Sequence, residues 1–210
     1  MPYKILIAGP QGSGKGTQAD ILAKALGVPA LSMGQLLRDE VLAGTDIGKK
    51  VGTILNAGNL VPEDLAAAVL KARLDMPDAQ DGYVLDGFPR NLAQLAAFTF
   101  DVPNHVVVID IPRDESLRRL VHRLTCEKCG EVYNQLDGFL EGDTCKKCGG
   151  KIVKRKDDTA EAIDRRLSIY ERNTKPVLDH YETQGIVHYV SGVGSIPDVA
   201  RNLLAVVQES

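Results

Sequence analysis

Ile5-Leu6-Ile7-Ala8-Gly9-Pro10-Gln11-Gly12-Ser13-Gly14-Lys15-Gly16-Thr17-Gln18 is the stretch that decides the fold. Its four leading apolar residues read as a short buried strand, and the run from Gln18 to Leu26 reads as the helix that follows. Between them, glycines let the backbone turn its N–H groups inward, and the helix N-terminus adds partial positive charge. This is the context in which a glycine-rich loop cradles phosphate oxygens, with Lys15 able to reach the outer phosphates of a triphosphate. The loop departs from the general pattern at Gly16, where Ser or Thr would touch Mg²⁺, and Thr17 comes one residue later. The competing reading is an ordinary strand-to-helix turn. Four glycines together with Lys15 and Thr17 weigh against it.

The same alternation continues outward. Gly82 to Asp86, His105 to Asp110 and Ile186 to Val190 are further strand-like runs, and Ile196 to Val207 is a last amphipathic stretch. Apolar strands separated by helices predict the α/β class, a doubly wound parallel sheet with helices on both faces. Functional groups gather at the carboxyl ends of such strands, where Gly9 and Asp86 both fall. Two segments interrupt the alternation. Ser32 to Val61 is helical in pattern but broken by Gly44, Gly48, Gly52 and Gly58, and Leu124 to Thr159 is rich in Gly, Lys and Asp. Both are expected to add little to the central core. The chain therefore divides into a core from 1–31, 62–124 and 160–210, an insertion at 32–61 and a second at 125–159.

Composition narrows the class. The 210 residues carry 25 Lys+Arg against 28 Asp+Glu, so a general binder of nucleic acid or anionic membrane is disfavoured. Apolar runs such as Leu65 to Leu70 are far too short to cross a bilayer. With no signal-peptide pattern, a soluble cytoplasmic protein is expected.

Cys126-x2-Cys129 and Cys145-x2-Cys148 are separated by 15 residues, a spacing that suits a four-thiolate structural zinc site. A glycine follows each pair (Gly130, Gly149) and permits the tight turn that aims two sulfurs at one metal. Two disulfides or four free thiols are the other readings. A reducing compartment argues against the first, and clustering in a polar loop against the second.

Gly9 to Gln18, Asp86-Gly87-Phe88-Pro89-Arg90 and Arg155-Lys156-Asp157-Asp158 together resemble the adenylate kinases of the nucleoside monophosphate kinase family. The departure at Gly16-Thr17 is itself that family's pattern, and the resemblance runs from the first strand to the last helix. It implies an ATP site at Gly12, Ser13, Gly14, Lys15, Gly16 and Thr17, with Arg119, Arg123, Val132, Tyr133 and Ile196 beside it. Val132-Tyr133 matches a pair that packs near the ATP base. The resemblance places AMP against Ser32, Met33, Arg38, Asn59, Leu60, Val61, Gly87, Phe88, Pro89, Arg90 and Gln94. Arg38 and Arg90 match phosphate-gripping arginines, and Gln94 an amide that reads the adenine edge. Physical chemistry agrees, since a guanidinium fork fits phosphate and an amide pairs with adenine. Met33 and Gln35 replace the Thr and Asp of many bacterial members, which puts selectivity among bases in question.

Asp86 matches the residue that holds Mg²⁺ through coordinated water, although an Asp at a strand end also caps turns. Arg119, Arg123, Arg155 and Arg166 match arginines that converge on the transferring phosphoryl group, and Arg155 and Arg166 also face AMP. Lys15, Asp86, Arg90 and these four form the implied catalytic set, with Asp157 and Asp158 expected to hold neighbouring arginines. Loose phosphoryl transfer relies on positioning and positive charge, and His105, His122, His180 and His188 all lie outside the nucleotide motifs. The segment 125–159 has the polar, glycine-rich composition of a mobile lid, and relatives with a four-cysteine lid agree with zinc there.

The resemblance thus implies a monomeric enzyme that moves the γ-phosphoryl of Mg·ATP to AMP, with structural Zn²⁺ and no nucleic-acid partner. Two alternatives stand beside it. One is a kinase for another monophosphate, which Met33 favours. The other is a nucleic-acid-binding NTPase carrying a zinc ribbon, for which Lys146, Lys147, Lys151, Lys154, Arg155 and Lys156 form a basic run. Flanking acids and the lack of an aromatic for base stacking disfavour the second.

Overall fold

The computed structural model describes residues 2–57, 59–155 and 158–209; Gly58, Lys156 and Asp157, all singled out above, lie outside it. Strand β1 (Tyr3–Ala8) leads through the glycine loop into α1 (Lys15–Leu26), which returns to β2 (Ala30–Ser32). Helices α2 (Met33–Ala43), α3 (Asp46–Asn56) and α4 (Glu63–Leu74) precede β3 (Gly82–Asp86). Then come α5 (Leu92–Ala97), β4 (His105–Asp110) and α6 (Arg113–Val121). A small antiparallel sheet of β5 (Arg123–Cys126), β6 (Val132–Asn134) and β7 (Ile152–Val153) follows, in the order β6-β5-β7. The chain ends with α7 (Ala160–Ile169), a π turn at Tyr170–Thr174, α8 (Lys175–Glu182), β8 (Val187–Ser191) and α9 (Ile196–Gln208).

The central sheet has the order β2-β3-β1-β4-β8, and every neighbouring pair is parallel. Period-two alternation sends successive side chains to opposite faces. Ile5, Ile7, Val84, Val107 and Ile109 pack on α1 and α9 through Ala19, Leu22, Val199 and Leu203. Leu6, Tyr83, Leu85, Val106 and Val108 pack on the other side against Leu37, Leu70, Val177 and Leu178. The expected α/β sheet with helices on both faces is thus present. Parallel pairing puts the carboxyl ends of the strands on one edge, and Ile7 aligned with both Asp86 and Val107 fixes the loop after β1 beside Asp86. The edge strand β2 has three residues, too short for a periodic pattern to reveal it.

The segment 32–61 corrects one expectation. Met33, Leu37, Val51 and Val61 are buried in the same cluster as Leu6 and Leu85, so this segment contributes to the core. Gly44 and Gly48 end and juxtapose helices rather than dilute them. Gly44, at φ +66°, terminates α2, and a Cβ on Gly48 would lie 2.0 Å from the Glu40 carbonyl oxygen, so α3 meets α2 backbone to backbone. The cysteine-bearing sheet behaves as expected, with a separate cluster of Leu124, Cys126, Tyr133, Cys145 and Ile152. Among the described residues no helix is long and apolar enough to cross a membrane.

Candidate active site

The glycine loop is set by backbone conformations that only glycine adopts without strain. Gly9 has φ +142°, and a Cβ there would lie 2.3 Å from the Ile109 carbonyl oxygen. Gly14, at φ +90°, caps α1 with no side-chain bond, which leaves the first turn of N–H groups directed at the carboxyl edge of the sheet. Gly16, in that turn, has no described atom within 4 Å of where a Cβ would stand, and the Ser13 hydroxyl is buried beneath the loop with no hydrogen-bond partner among the described residues. Lys15 Nζ donates to the carbonyls of Gly9 at 2.9 Å and Pro10 at 2.8 Å. Burial lowers its pKa to about 8; Asp86 opposes that shift, and Arg90 and Arg123 add to it.

Asp86 ends β3 beside the loop, and its Oδ1 is buried without a hydrogen-bond partner among the described residues. A buried, unsatisfied carboxylate oxygen at the edge of a phosphate loop fits a hydrated Mg²⁺, a hard cation that takes oxygen donors and keeps its water. The neighbouring loop fixes Arg90 from several sides. Its N–H donates to Gln94 Oε1 at 2.8 Å and its Nε to the Gly87 carbonyl at 2.8 Å. Burial, together with Arg166 and Arg155 nearby, lowers the Arg90 pKa. Arg123 is lowered likewise by burial, with Asp158 opposing. Asp158, with only 6% of its side chain exposed, holds Arg123 at 2.7 Å and Arg166 at 3.0 Å. Lys15, Asp86, Arg90, Arg123, Arg155 and Arg166 thus converge, and Lys15, Arg90 and Arg166 line one cleft with Gly9, Leu60, Gly87, Phe88 and Pro89.

Arg119 stands apart from this set. Its Nε donates to Glu115 at 2.6 Å and a terminal nitrogen to the Gly192 carbonyl at 3.0 Å, tying α6 to the loop before α9. Gln18 secures the same region by donating to the carbonyl of Ile196 at 3.0 Å.

On the acceptor side, Ser32 caps α2 by accepting from Gln35 N–H, and Met33 is buried in the core. Arg38 donates through Nε and a terminal nitrogen to Gln35 Oε1, at 3.3 and 2.8 Å. That oxygen lies only 2.8 Å from where a Cβ on Gly130 would stand, so α2 touches the first cysteine turn. Arg165 donates to the Ala57 carbonyl and to Asn59 Oδ1, at 2.9 and 3.4 Å.

Two of the expected site residues make contacts within the protein. Gln94 is 3% exposed, and both ends of its amide serve the protein: Oε1 accepts from Arg90 N–H, and Nε2 donates to the Val61 carbonyl at 3.2 Å. In this arrangement the amide anchors the Arg90 loop, and no base edge is needed to satisfy it. Tyr133 faces the interior of the small sheet, because strand alternation turns Val132 outward and Tyr133 inward. Its ring lies 4.6 Å from Phe139, and its hydroxyl contacts Cys145 Sγ at 3.2 Å. Sequence reasoning also passed over Thr174 and Arg165, which sit in helices with no motif to mark them.

The four cysteine sulfurs lie within 4.8 Å of one another, with Cys126 to Cys148 at 3.5 Å and Cys129 to Cys145 at 3.6 Å. A tetrahedral zinc with Zn–S near 2.3 Å sets sulfur pairs about 3.8 Å apart, so the cluster fits zinc. Gly130 and Gly149, both at φ +73°, close the two turns with bonds to the carbonyls of Cys126 and Cys145.

The family model described as adenylate kinase matches residues 7–186. The chain is 38% identical to the adenylate kinase of Thermodesulfovibrio yellowstonii, over 98% of this chain and 99% of that protein. It is 36% identical to the adenylate kinase of Archaeoglobus fulgidus, over 98% of each chain. Against the adenylate kinase of Nitrosococcus oceani it is 39% identical, over 95% of this chain and 96% of that one. The matched span of this chain contains the glycine loop, the arginine cluster and the four cysteines, and the chain belongs to the adenylate kinase family.

Proposed function

We propose that this protein transfers the γ-phosphoryl of Mg·ATP to AMP, giving two molecules of ADP. The observation that carries the reading is that Lys15, Arg90 and Arg166 line the cleft where α1 begins, with Arg123 and Arg155 close enough to act on their charges. Loose phosphoryl transfer spreads charge over oxygens, so fixed cations and alignment supply most of the acceleration. On this reading the loop N–H groups and Lys15 hold the donor phosphates. Arg38 and Arg90 hold the acceptor phosphate, while Arg123, Arg155 and Arg166 reach the group in transit and Arg119 joins them by leaving its bonds to Glu115 and the Gly192 carbonyl. Asp158 keeps two of these guanidiniums aimed before substrate arrives. Asp86 and Thr17 would hold Mg²⁺ through its water, and the ion would supply charge neutralisation at the bridging phosphates. The AMP base would lie along Asn59, Leu60 and Val61, and the ATP base near Val132 and Ile196.

Water is the competing acceptor, and a cover over the cleft excludes it. Segments 32–61 and 125–159 would be the two covers, the second a lid stiffened by Zn²⁺ on Cys126, Cys129, Cys145 and Cys148. The contact of Gln35 with Gly130 supports their meeting over the cleft. The same reading has the protein working as a monomer in the cytoplasm, without nucleic acid. Purified protein given ATP and AMP should form ADP, with CMP, UMP and GMP much poorer acceptors. Comparable rates with UMP would overturn the adenine assignment, and no ADP from AMP would overturn the reaction.

A further inference from the structure

Helices α7 and α8 form one rod interrupted by the π turn at Tyr170–Thr174. The interruption has a local cause. Pro176 has no N–H to donate to the carbonyl four residues before it, and its ring crowds that carbonyl, so the preceding turn widens. Lys175 N–H accordingly donates to the carbonyl of Tyr170, five residues back. The face that this rod turns inward carries Ile163, Leu167, Tyr170, Val177, Leu178 and Tyr181, all apolar or aromatic. Thr174 lies among them, 8% exposed, as a polar exception.

A buried hydroxyl needs a partner, and this one has a specific partner. Thr174 Oγ1 donates to the main-chain carbonyl of Arg90 at 3.0 Å, across 84 residues of sequence. Arg90 belongs to no helix or strand, so neighbouring bonds must fix its place. Gln94 holds its N–H, Gly87 accepts from its Nε, and Thr174 holds its C=O. Thr174 is thus the only one of these three holds that comes from outside the 87–94 segment. It ties Arg90 to the rod that also carries Arg166, and both Thr174 and Arg166 line the cleft.

We propose that Thr174 is a positioning residue for phosphoryl transfer: its hydroxyl, presented by the π turn, sets the placement of Arg90 relative to Arg166. The proposal rests on the reading of the cleft as a phosphoryl-transfer site. Without the hydroxyl, Arg90 itself would keep, among the described residues, its bonds with Gln94 and Gly87 in its own segment, and the guanidinium would lose its fixed relation to the rod. Misplacement of a binding group by about an ångström can cost up to ~10²-fold in rate.

The test uses the full chain with Thr174→Val, which keeps the shape and removes the donor, and Thr174→Ser, which restores it. Thr174→Val should raise KM for AMP and lower kcat/KM for AMP by about tenfold while KM for ATP stays within twofold. Thr174→Ser should recover most of the loss. An independent readout is the Arg90 Nε–H resonance, which should shift or broaden in Thr174→Val and stay in place in Thr174→Ser. Thermal unfolding of all three proteins identifies a purely structural effect, which would lower Tm and leave both the AMP parameters and the resonance unchanged. That result would overturn the proposal. Absence of ADP formation by the wild-type chain would overturn the phosphoryl-transfer reading instead, and an unmoved Arg90 resonance would still decide against the anchor.

Discussion

Asp158 grips Arg123 side-on, with its Oδ2 accepting from Nε at 2.7 Å and its Oδ1 from a terminal nitrogen, while Arg166 shares that same Oδ1 at 3.0 Å. One carboxylate therefore serves two guanidiniums that are each about nine-tenths buried. Asp158→Ala takes the bidentate carboxylate from Arg123 in a desolvated place and removes one of the partners of Arg166, and breaking a buried pair in this way costs about 3–5 kcal/mol. Urea unfolding should show that loss. Added ATP should return part of it, because phosphate replaces the missing carboxylate. A variant as stable as wild type would show that the cluster is solvated.

The cysteine cluster should hold about one zinc per chain. Stripping it with a chelator should lower Tm, because the small sheet has only a handful of buried residues of its own. Metal analysis with calorimetry checks both points. Metal-free protein of unchanged Tm and full activity would contradict the structural role.

Gly48→Ala should destabilise the segment that carries Arg38, because a Cβ would sit 2.0 Å from the Glu40 carbonyl oxygen. Overpacking of this kind costs about 1–3 kcal/mol, and at this chain length each kcal/mol lowers Tm by about 2–4 °C. Calorimetry measures the shift, and steady-state kinetics should show a raised KM for AMP with little change for ATP.

His105 supplies a pH dependence remote from the site. It begins β4, buried, with Nδ1 unpartnered among the described residues and with the rings of Tyr3 and His188 beside it. Burial and the neighbouring His188 lower its pKa below the ordinary value of 6.5. The unfolded chain then binds more protons just below that value, so stability is full above about pH 6.5 and falls as the solution is acidified toward the folded pKa. Urea midpoints measured at pH 7.5 and 5.5 should differ, and His105→Phe should reduce the difference without changing turnover at pH 7.5. An equal difference in that variant would assign the effect to carboxylates.

Much of the chemistry was legible because it is local. The glycine loop, the four cysteines and the Asp86–Arg90 run each carry their geometry in contiguous residues. The strands of the sheet were legible through their apolar runs, apart from β2, whose three residues draw their order from pairing with β3. What stayed hidden depends on distant partners. The inward turn of Gln94 is decided by Val61 and Arg90, and that of Tyr133 by Phe139 and Cys145. The core role of 32–61 was masked because glycine breaks look alike whether they loosen a segment or let two helices touch.

The meeting of Gln35 with Gly130 has a thermodynamic corollary. The residue that holds Arg38 lies against the turn that closes half of the cysteine cluster, so the arrangement of one side enters the free energy of the other. On the proposed reading, if ATP favours this apposition and thereby strengthens AMP binding, AMP must strengthen ATP binding by the same factor. The two substrates would then report on each other through the meeting of Gln35 with Gly130.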